Sequence, residues 1–597
     1  MCGIAGLVSP SSCVSEEAIA SMNRRLAHRG PDGHGTYCDQ KAGVGLGHHR
    51  LSILDLTSAG RQPMSTDDGR FTIVFNGEIY NYLELRKELE ASGEFFSTNC
   101  DTEVLLKGYR RWREKVVDRL LGMFAFAIWD RDARQLFLVR DRAGKKPLLY
   151  FWNEKTFAFA SELKSLLTLP ECQRRLNADA VDVYFALGYI PAPLSIIQNV
   201  HKLPPGHCLT LRGEAITIRR YWRPELATPL MAATREARIE QFRDLFADAV
   251  RIRLRSDVPV GLFLSGGIDS SAIAAECQRQ SQSLKAYTVT FDRDDTDLPY
   301  ALSVARHLRL DHKVIEASGT DVIEDIPKII DFYDEPFADT SNVPSYYIAR
   351  ETRDQLKVVF NGDGGDEVFG GYRHYEHVGV KQWLKRLGAM TGAVDGAANQ
   401  PWQVYFKGKA LFNARRRQSL LHGRIETQDG LTRLISSDPF LNAYQPESPL
   451  KMAMWADRHV YLANDLLYKM DIALMSQGIE GRSPFLDHRI LEWAQHLPAK
   501  DLVRGRSKKN LLREAFRKEI PGSVLDREKH GFGSPIRSWL QGPLKPLISD
   551  MLPCPLLADE PQRDVMQRLA AGEAGSESRA WTLLMFALWA QSWRVAW

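Results

Sequence analysis

The sequence contains no pair of cysteines spaced C-x-x-C: its eight cysteines stand apart at positions 2, 13, 38, 100, 172, 208, 277 and 554. That scatter argues against a zinc site and against a secreted disulfide framework, and fits a reducing cytoplasm. No basic segment followed by an apolar one opens the chain, so no signal peptide is expected. Long apolar runs are missing as well. The stretch 580–590 is about half of the ~20 residues that a membrane span needs and reads as a buried helix, so no membrane partner is expected. Neither sign of charge dominates, with 78 basic against 74 acidic residues and a net charge of +4. The one tight basic cluster, Arg415-Arg416-Arg417, reads as a solvated face, and nothing electrostatic argues for a nucleic-acid partner. The P-loop pattern G-x-x-x-x-G-K-[ST] is absent, as are solenoid repeats and long low-complexity tracts. At 597 residues, 44% hydrophobic and 25% charged, the chain has the composition of a soluble globular enzyme and is too long for one core, so two α/β domains are expected.

Against these absences stands one stretch, Val258-Pro259-Val260-Gly261-Leu262-Phe263-Leu264-Ser265-Gly266-Gly267-Ile268-Asp269-Ser270-Ser271. A short apolar run ends in a serine- and glycine-rich turn with helical residues directly after it, which reads as strand, loop and helix. The glycines allow a tight turn, and the hydroxyls and unpaired N–H groups at the new helix start suit an anion such as phosphate, with Asp269 placed to carry a magnesium ion. On residue chemistry alone, a glycine turn capping a buried helix explains the stretch about equally well. The run Ser-Gly-Gly-Ile-Asp-Ser-Ser nevertheless resembles the pyrophosphate loop of the ATP pyrophosphatase families, which split ATP between its α and β phosphates. That resemblance implies ATP at Phe263, Leu264, Ser265, Gly266, Gly267, Asp269, Ser270 and Ser271, together with Val289, Asn361 and Gly362.

The chain opens Met1-Cys2-Gly3-Ile4-Ala5-Gly6. A small residue at position 2 normally lets the initiator methionine be removed, which would leave Cys2 with a free α-amine beside its thiol. With ordinary pKa values of about 8 and 8.5, one residue then holds both base and nucleophile. A cysteine at position 2 usually signifies nothing, but four further segments supply context: His28-Arg29-Gly30-Pro31-Asp32, His49-Arg50-Leu51-Ser52-Ile53, Asn76-Gly77-Glu78-Ile79-Tyr80-Asn81 and Asp101-Thr102-Glu103-Val104. Singly these read as a surface cation, a hairpin turn and solvated charges. Together they resemble the amino-terminal-nucleophile glutamine amidotransferases. The resemblance implies Cys2 as nucleophile, Asn76 and Gly77 as oxyanion hole, and Arg50 on the glutamine α-carboxylate with Leu51, Ser52 and Ile53 beside it. It also implies Glu78 and Asp101 on the α-ammonium. The chemistry agrees, since a free amino acid needs a fixed cation and one or two carboxylates at its α-carbon, and a tetrahedral oxyanion needs preformed donors. Strand-like alternation at 70–75, 123–129 and 135–140, with helical periodicity at 82–92 and 103–112, suits the four-layer αββα sandwich of that class. This domain is expected over 2–213, followed by a linker over 214–234.

Beyond the linker, 240–255 reads as a helix with one buried face. Strands at 285–291, 312–316 and 358–361 then alternate with helices at 300–308, 321–332 and 345–355, which predicts a parallel α/β sheet over 235–597 with ligands at the carboxyl ends of its strands. Val358-Val359-Phe360-Asn361-Gly362-Asp363-Gly364-Gly365-Asp366-Glu367 leaves a strand into an acidic glycine loop, which taken alone is often a solvated turn. Through Tyr372 it resembles a motif of the glutamine-hydrolysing asparagine synthetases, departing at Asn361, where that family usually has serine. The resemblance implies Asp269 and Asp366 as ligands of Mg2+, Asp363 as the acid of the acyl-adenylate step, and Lys509 as the lysine on the phosphate and the tetrahedral intermediate, with Lys508 a close rival. Segments 464–471, 478–487 and 505–513 continue the match to about 535. The final segment, 581–597, reads as a packing helix without a functional assignment.

The resemblance therefore implies two linked reactions, glutamine hydrolysis at Cys2 and adenylation of a carboxylate, aspartate first, with MgATP. A shielded passage for ammonia between them is expected, because ammonia in water near neutrality is mostly ammonium. The alternatives are an amidotransferase for another carboxylate and an inactive binding or regulatory homologue. Whether the chain forms a homodimer is left open.

Overall fold

The computed structural model describes residues 1–9, 14–224, 227–228, 231–280, 284–290, 297–317, 322–377, 401–423, 429–437, 447–527 and 534–597. Strands β1 (Gly3–Val8), β2 (Gly33–Asp39), β3 (Val44–Arg50), β4 (Met64–Ser65), β5 (Phe71–Ile79), β6 (Gly122–Asp130), β7 (Gln135–Arg140), β8 (Leu149–Trp152), β9 (Phe157–Ala160), β10 (Val200–Lys202), β11 (His207–Arg212) and β12 (Ala215–Arg220) form two sheets. Their orders are β10–β8–β9–β1–β3–β2 and β12–β11–β7–β6–β5–β4. Every pairing within them is antiparallel.

A two-residue period sorts the side chains into layers. Ile4, Val8, Val44 and Leu46 of the first sheet meet Val74, Ala125, Ala127, Leu136 and Leu138 of the second, and this is the sandwich interior. Ala5 and Leu7 point the other way onto Ile19 and Met22 of the helix Glu16–Arg24. Phe124, Phe126 and Phe137 back onto the helices Tyr82–Ala91 and Asp101–Trp112. The result is the expected αββα sandwich. Residues 215–220, inside the stretch expected as a connector, are the edge strand β12 of the second sheet, which is joined to β11 through a turn at Gly213 (φ 59°).

In the carboxy-terminal half, β13 (Val260–Phe263), β14 (Lys285–Thr290), β15 (Asp311–Glu316), β16 (Val358–Phe360) and β17 (Glu480–Arg482) make a wholly parallel sheet ordered β15–β14–β13–β16–β17. The order turns back between β13 and β16, so the loops leaving these two strands diverge around a crevice at their carboxyl ends, where open parallel sheets take ligands. The glycine-serine loop and the acidic glycine loop are these two loops. The expected strand end at Phe291 and helix start at Asp321 lie outside the described residues. No strand was expected at 480–482, since Glu-Gly-Arg has neither alternation nor β-branched residues. Its pairing with Val358–Phe360 and the ion pairs of its ends hold it there.

The carboxy-terminal helix Ser576–Trp593 packs against the amino-terminal half. The Tyr184 hydroxyl donates to the Thr582 carbonyl (2.9 Å), and the rings of Phe185 and Phe586 lie 5.1 Å apart. Arg417 corrects the reading of its cluster as solvated: it is buried, donating to Asp182 (2.8 Å) and Asp429 (2.6 Å), while Arg415 is exposed. Among the described residues no helix is long and apolar enough to cross a membrane.

Candidate active sites at the junction of the two halves

Cys2 lies buried at the start of β1, in a pocket lined by Arg50, Leu51, Ile53, Gly77, Glu78 and Asp101 among others. Its N–H donates to Asn76 Oδ1 (3.0 Å), which leaves the Asn76 Nδ2 buried with no hydrogen-bond partner. Gly77 is obligatory, since a Cβ there would stand 2.1 Å from the Met123 carbonyl oxygen. The Arg50 guanidinium is held by carbonyls, those of Thr57 (2.7 Å), Asp55 (2.5 Å) and Leu54 (3.2 Å), and among the described residues it has no carboxylate partner. Its charge remains available to an anion. Gly60 clears the space, because a Cβ there would sit 2.2 Å from Arg50 Nη2. Ser52 does not line the pocket. Its N–H donates to Asp32 Oδ2 (2.7 Å), which fixes the stretch after β3.

Glu78 and Asp101 face the same pocket. Burial, then the neighbouring Asp101, holds the Glu78 carboxyl well above the usual carboxylate range, and burial pushes Asp101 up to about 6. Glu78 Oε1 is buried without a partner. Burial also raises the Cys2 thiol, against the pull of the chain-terminal ammonium.

Sequence reasoning did not foresee how far the carboxy-terminal half enters this pocket. Glu480 of β17 lines it and reaches the Met1 amine (3.3 Å), while Arg482 pairs with Glu480 (2.6 Å) and Glu78 (3.2 Å). Arg29 donates Nε to the Cys2 carbonyl (3.0 Å), Nη1 to Glu162 (2.6 Å) and Nη2 to Asp471 (2.7 Å). Arg29 and Arg482 lie inside the sequence motifs, but their partners across the junction, Asp471 and Glu78, are hundreds of residues away and carry no local signal.

The second centre is the crevice between β13 and β16. Gly266 turns the chain at φ 67°, and a Cβ there would meet the Ala301 nitrogen at 2.6 Å. Gly267 precedes the helix Ile268–Arg279, and its carbonyl accepts the hydroxyls of Ser270 (3.1 Å) and Ser271 (2.7 Å). Ser265 Oγ lies 3.1 Å from Ser270 Oγ, so the hydroxyls cluster at the helix start. Leu264 donates its N–H to the Tyr287 carbonyl (2.8 Å), which ties the loop to β14; Phe263 ends β13, and Val289 lies near the end of β14. Gly362 passes Asp269 so closely that a Cβ would be 2.9 Å from the Asp269 Cβ. Asn361 accepts the Ser483 hydroxyl on Oδ1 (2.5 Å).

Lys509 Nζ sits between Asp269 Oδ2 (2.5 Å) and Asp366 Oδ1 (2.6 Å), whereas Lys508 pairs with Glu376. The geometry thus separates the two lysines. Asp269 and Asp366 converge on one cation, and the Asp269 Oδ1 is buried without a partner. Among the described residues no group of three or more His, Cys, Asp or Glu could hold a metal. Two carboxylates suit magnesium, which takes one or two protein carboxylates and completes its shell with water and substrate phosphates. Asp363 pairs with Lys145 (3.2 Å), a residue of the amino-terminal half that sequence reasoning did not single out.

An antiparallel αββα sandwich with a buried cysteine pocket, joined to a parallel sheet with a serine-glycine loop at its switch point, defines a glutamine-hydrolysing, ATP-dependent ligase. Family models agree with this division: a glutamine amidotransferase domain matches residues 1–222 and asparagine synthase matches 241–591. The chain belongs to the asparagine synthase family. It is 33% identical to asparagine synthetase [glutamine-hydrolyzing] 1 of Bacillus subtilis over 99% of this chain and 96% of that protein. Asparagine synthetase [glutamine-hydrolyzing] 3 of the same organism is 30% identical over 89% and 86%. Amidase chry2 of Gibberella zeae is 28% identical over 92% of each chain.

Proposed function

We propose that the protein is a glutamine-dependent asparagine synthetase. With Met1 removed, the Cys2 thiol gives its proton to its own α-amine and attacks the glutamine amide carbon. Arg50 holds the α-carboxylate, and Glu78 and Asp101 hold the α-ammonium. The oxyanion forms against Asn76 Nδ2 and the Gly77 N–H, a preformed pair of donors where charge develops. Collapse expels ammonia as the Cys2 α-ammonium returns its proton to the leaving nitrogen, and water then releases glutamate from the thioester.

In the second centre the Ser265–Ser271 loop and the helix start hold the pyrophosphate of ATP, and Lys509 offsets its charge. Asp269 and Asp366 would hold magnesium, which when bound neutralises the leaving pyrophosphate. The aspartate β-carboxylate attacks the α-phosphorus, pyrophosphate departs, and ammonia displaces AMP from the acyl-adenylate beside Asp363. Adenylation is needed because a free carboxylate offers an amine no adequate leaving group.

The observation that carries this reading is β17. Glu480 lies in the cysteine pocket, and Ser483, three residues on, lies beside Lys145 and Asn361 at the second centre. Along extended chain that is on the order of 10 Å. The buried apolar cluster of Tyr80, Met123, Ile252 and Met475 occupies the same junction, which suits neutral ammonia better than ammonium.

Incubation with amide-labelled glutamine, MgATP and aspartate is expected to give labelled asparagine with AMP and pyrophosphate. Formation of ADP and orthophosphate instead would overturn the scheme. A second reading, with another carboxylate as acceptor, is favoured by the polar side chains of Asn361 and Ser483, the Asn361 Nδ2 being buried without a partner. Under that reading aspartate yields no asparagine, and AMP appears only with the other acceptor.

A further inference from the structure

Two consecutive lysines leave the amidotransferase half on one loop after β7. That loop is shaped by its own domain. Asp141 accepts the N–H groups of Lys145 (2.9 Å) and Lys146 (2.9 Å), and Arg140 donates to the carbonyls of Gly144 (3.0 Å), Lys146 (2.9 Å) and Leu203 (2.8 Å). Gly144 turns at φ 71°, where a Cβ would stand 2.6 Å from Pro205 Cγ. The backbone is therefore set, and both ammonium groups point out of the domain.

They part at the junction. Lys146 Nζ goes to Asp471 (2.9 Å), the carboxylate that also takes Arg29 and through it the Cys2 carbonyl. Lys145 Nζ crosses into the synthetase centre, donating to Asp363 Oδ2 (3.2 Å) and Ser483 Oγ (2.8 Å), and the Ser483 hydroxyl in turn donates to Asn361 Oδ1 (2.5 Å). The Lys145 and Asp363 side chains are only 5% and 11% exposed, so each is the other's answer to a desolvated charge. Among the described residues Lys145 is the cation that pairs with Asp363. Nearby Lys469 spends its ammonium on Asp339 (2.7 Å) and Ser341 (2.7 Å).

We propose that Lys145, although it belongs to the amidotransferase half, is a positioning residue of the synthetase centre. It holds the Asp363 carboxylate on the side of the cleft next to Ser483. The inference rests on the synthetase reading above. It follows that the synthetase centre is incomplete without the other half even when ammonia is supplied directly and glutamine is not used.

The test compares full-length wild type, Lys145→Met, which keeps the length and removes the charge, and Lys145→Arg, which restores a cation. Turnover is followed as AMP and asparagine with ammonium chloride, MgATP and aspartate. The loss of one charge-assisted hydrogen bond predicts a kcat about 10- to 100-fold lower for Lys145→Met, with the KM for ATP unchanged and at least a tenfold recovery in Lys145→Arg where the loss is that large. Glutaminase turnover and Tm on the same preparations separate this from a failure to fold. Turnover of Lys145→Met within threefold of wild type, or an arginine variant no better than methionine, overturns the proposal. If wild type itself makes no asparagine from ammonia, the synthetase reading fails. Lys145 is then judged by crystal structures of wild type and Lys145→Met: an Asp363 carboxylate that turns away from Ser483 supports its positioning role, and an unmoved one refutes it.

Discussion

Replacing Gly60 by alanine isolates the grip on the glutamine α-carboxylate without touching a group that reacts. The new Cβ would stand 2.2 Å from Arg50 Nη2 and 2.9 Å from its Cζ. An ordinary contact of about 3.5 Å asks the guanidinium to retreat by roughly 1.3 Å. It cannot do so freely, because the carbonyls of Leu54, Asp55 and Thr57 hold it at 3.2, 2.5 and 2.7 Å. Either those bonds or the approach to the substrate must give. A charge-assisted hydrogen bond is worth about 1.5–3 kcal/mol, which corresponds to roughly 10- to 150-fold in affinity. Arg50 would grip the α-carboxylate equally in the ground and transition states, so the loss falls on KM, with kcat within about threefold. The assay is steady-state glutamate release from glutamine alone, with ammonia-dependent synthesis as the control that stays at the wild-type level. A glutamine KM within twofold of wild type would show that Arg50 does not do this work.

Asn76→Ala removes the unpartnered Nδ2 donor, and kcat for glutamine hydrolysis is expected to fall about 100- to 1,000-fold while KM changes little; an unchanged kcat would place the oxyanion elsewhere. Because Asp101 is pushed up to about 6, its carboxylate is protonated in the free enzyme below that pH and cannot pair with an α-ammonium. The kcat/KM for glutamine should therefore decline as pH falls through about 6, and Asp101→Asn should shift that limb, because the raised Glu78 carboxyl beside it still titrates. With its folded value above the usual one, the same group makes the ligand-free protein less stable as pH rises from about 4 to 6, which pH-dependent denaturation can read. Asp471→Asn leaves the buried Arg29 and Lys146 without their shared counter-charge, and a loss of about 3–5 kcal/mol in stability is expected by urea unfolding; a loss under 1 kcal/mol would mean that water or another group replaces it.

The sequence by itself determined the sheet character of both halves and the two reactive stretches. The apolar runs at 123–129 and 136–139 reflect a sheet buried on both faces, between the sandwich interior and the helices, and such short runs are legible in a single sequence. The serine-glycine loop and the opening cysteine were legible for a similar reason: tight turns and helix starts are local and constrain residue types within a few positions. Only the tertiary structure decided how the two centres meet. Glu480, Arg482, Arg29, Asp471 and Lys145 act through partners more than a hundred residues away, and no local rule links such pairs. The choice between Lys508 and Lys509 was of the same kind, since both are lysines in one turn and only the positive φ of Lys509 aims it at Asp269 and Asp366. Charged side chains can be buried at this junction because each meets an opposite charge from the other half. That complementarity is a property of the folded pair of domains, and neither segment's own sequence contains it.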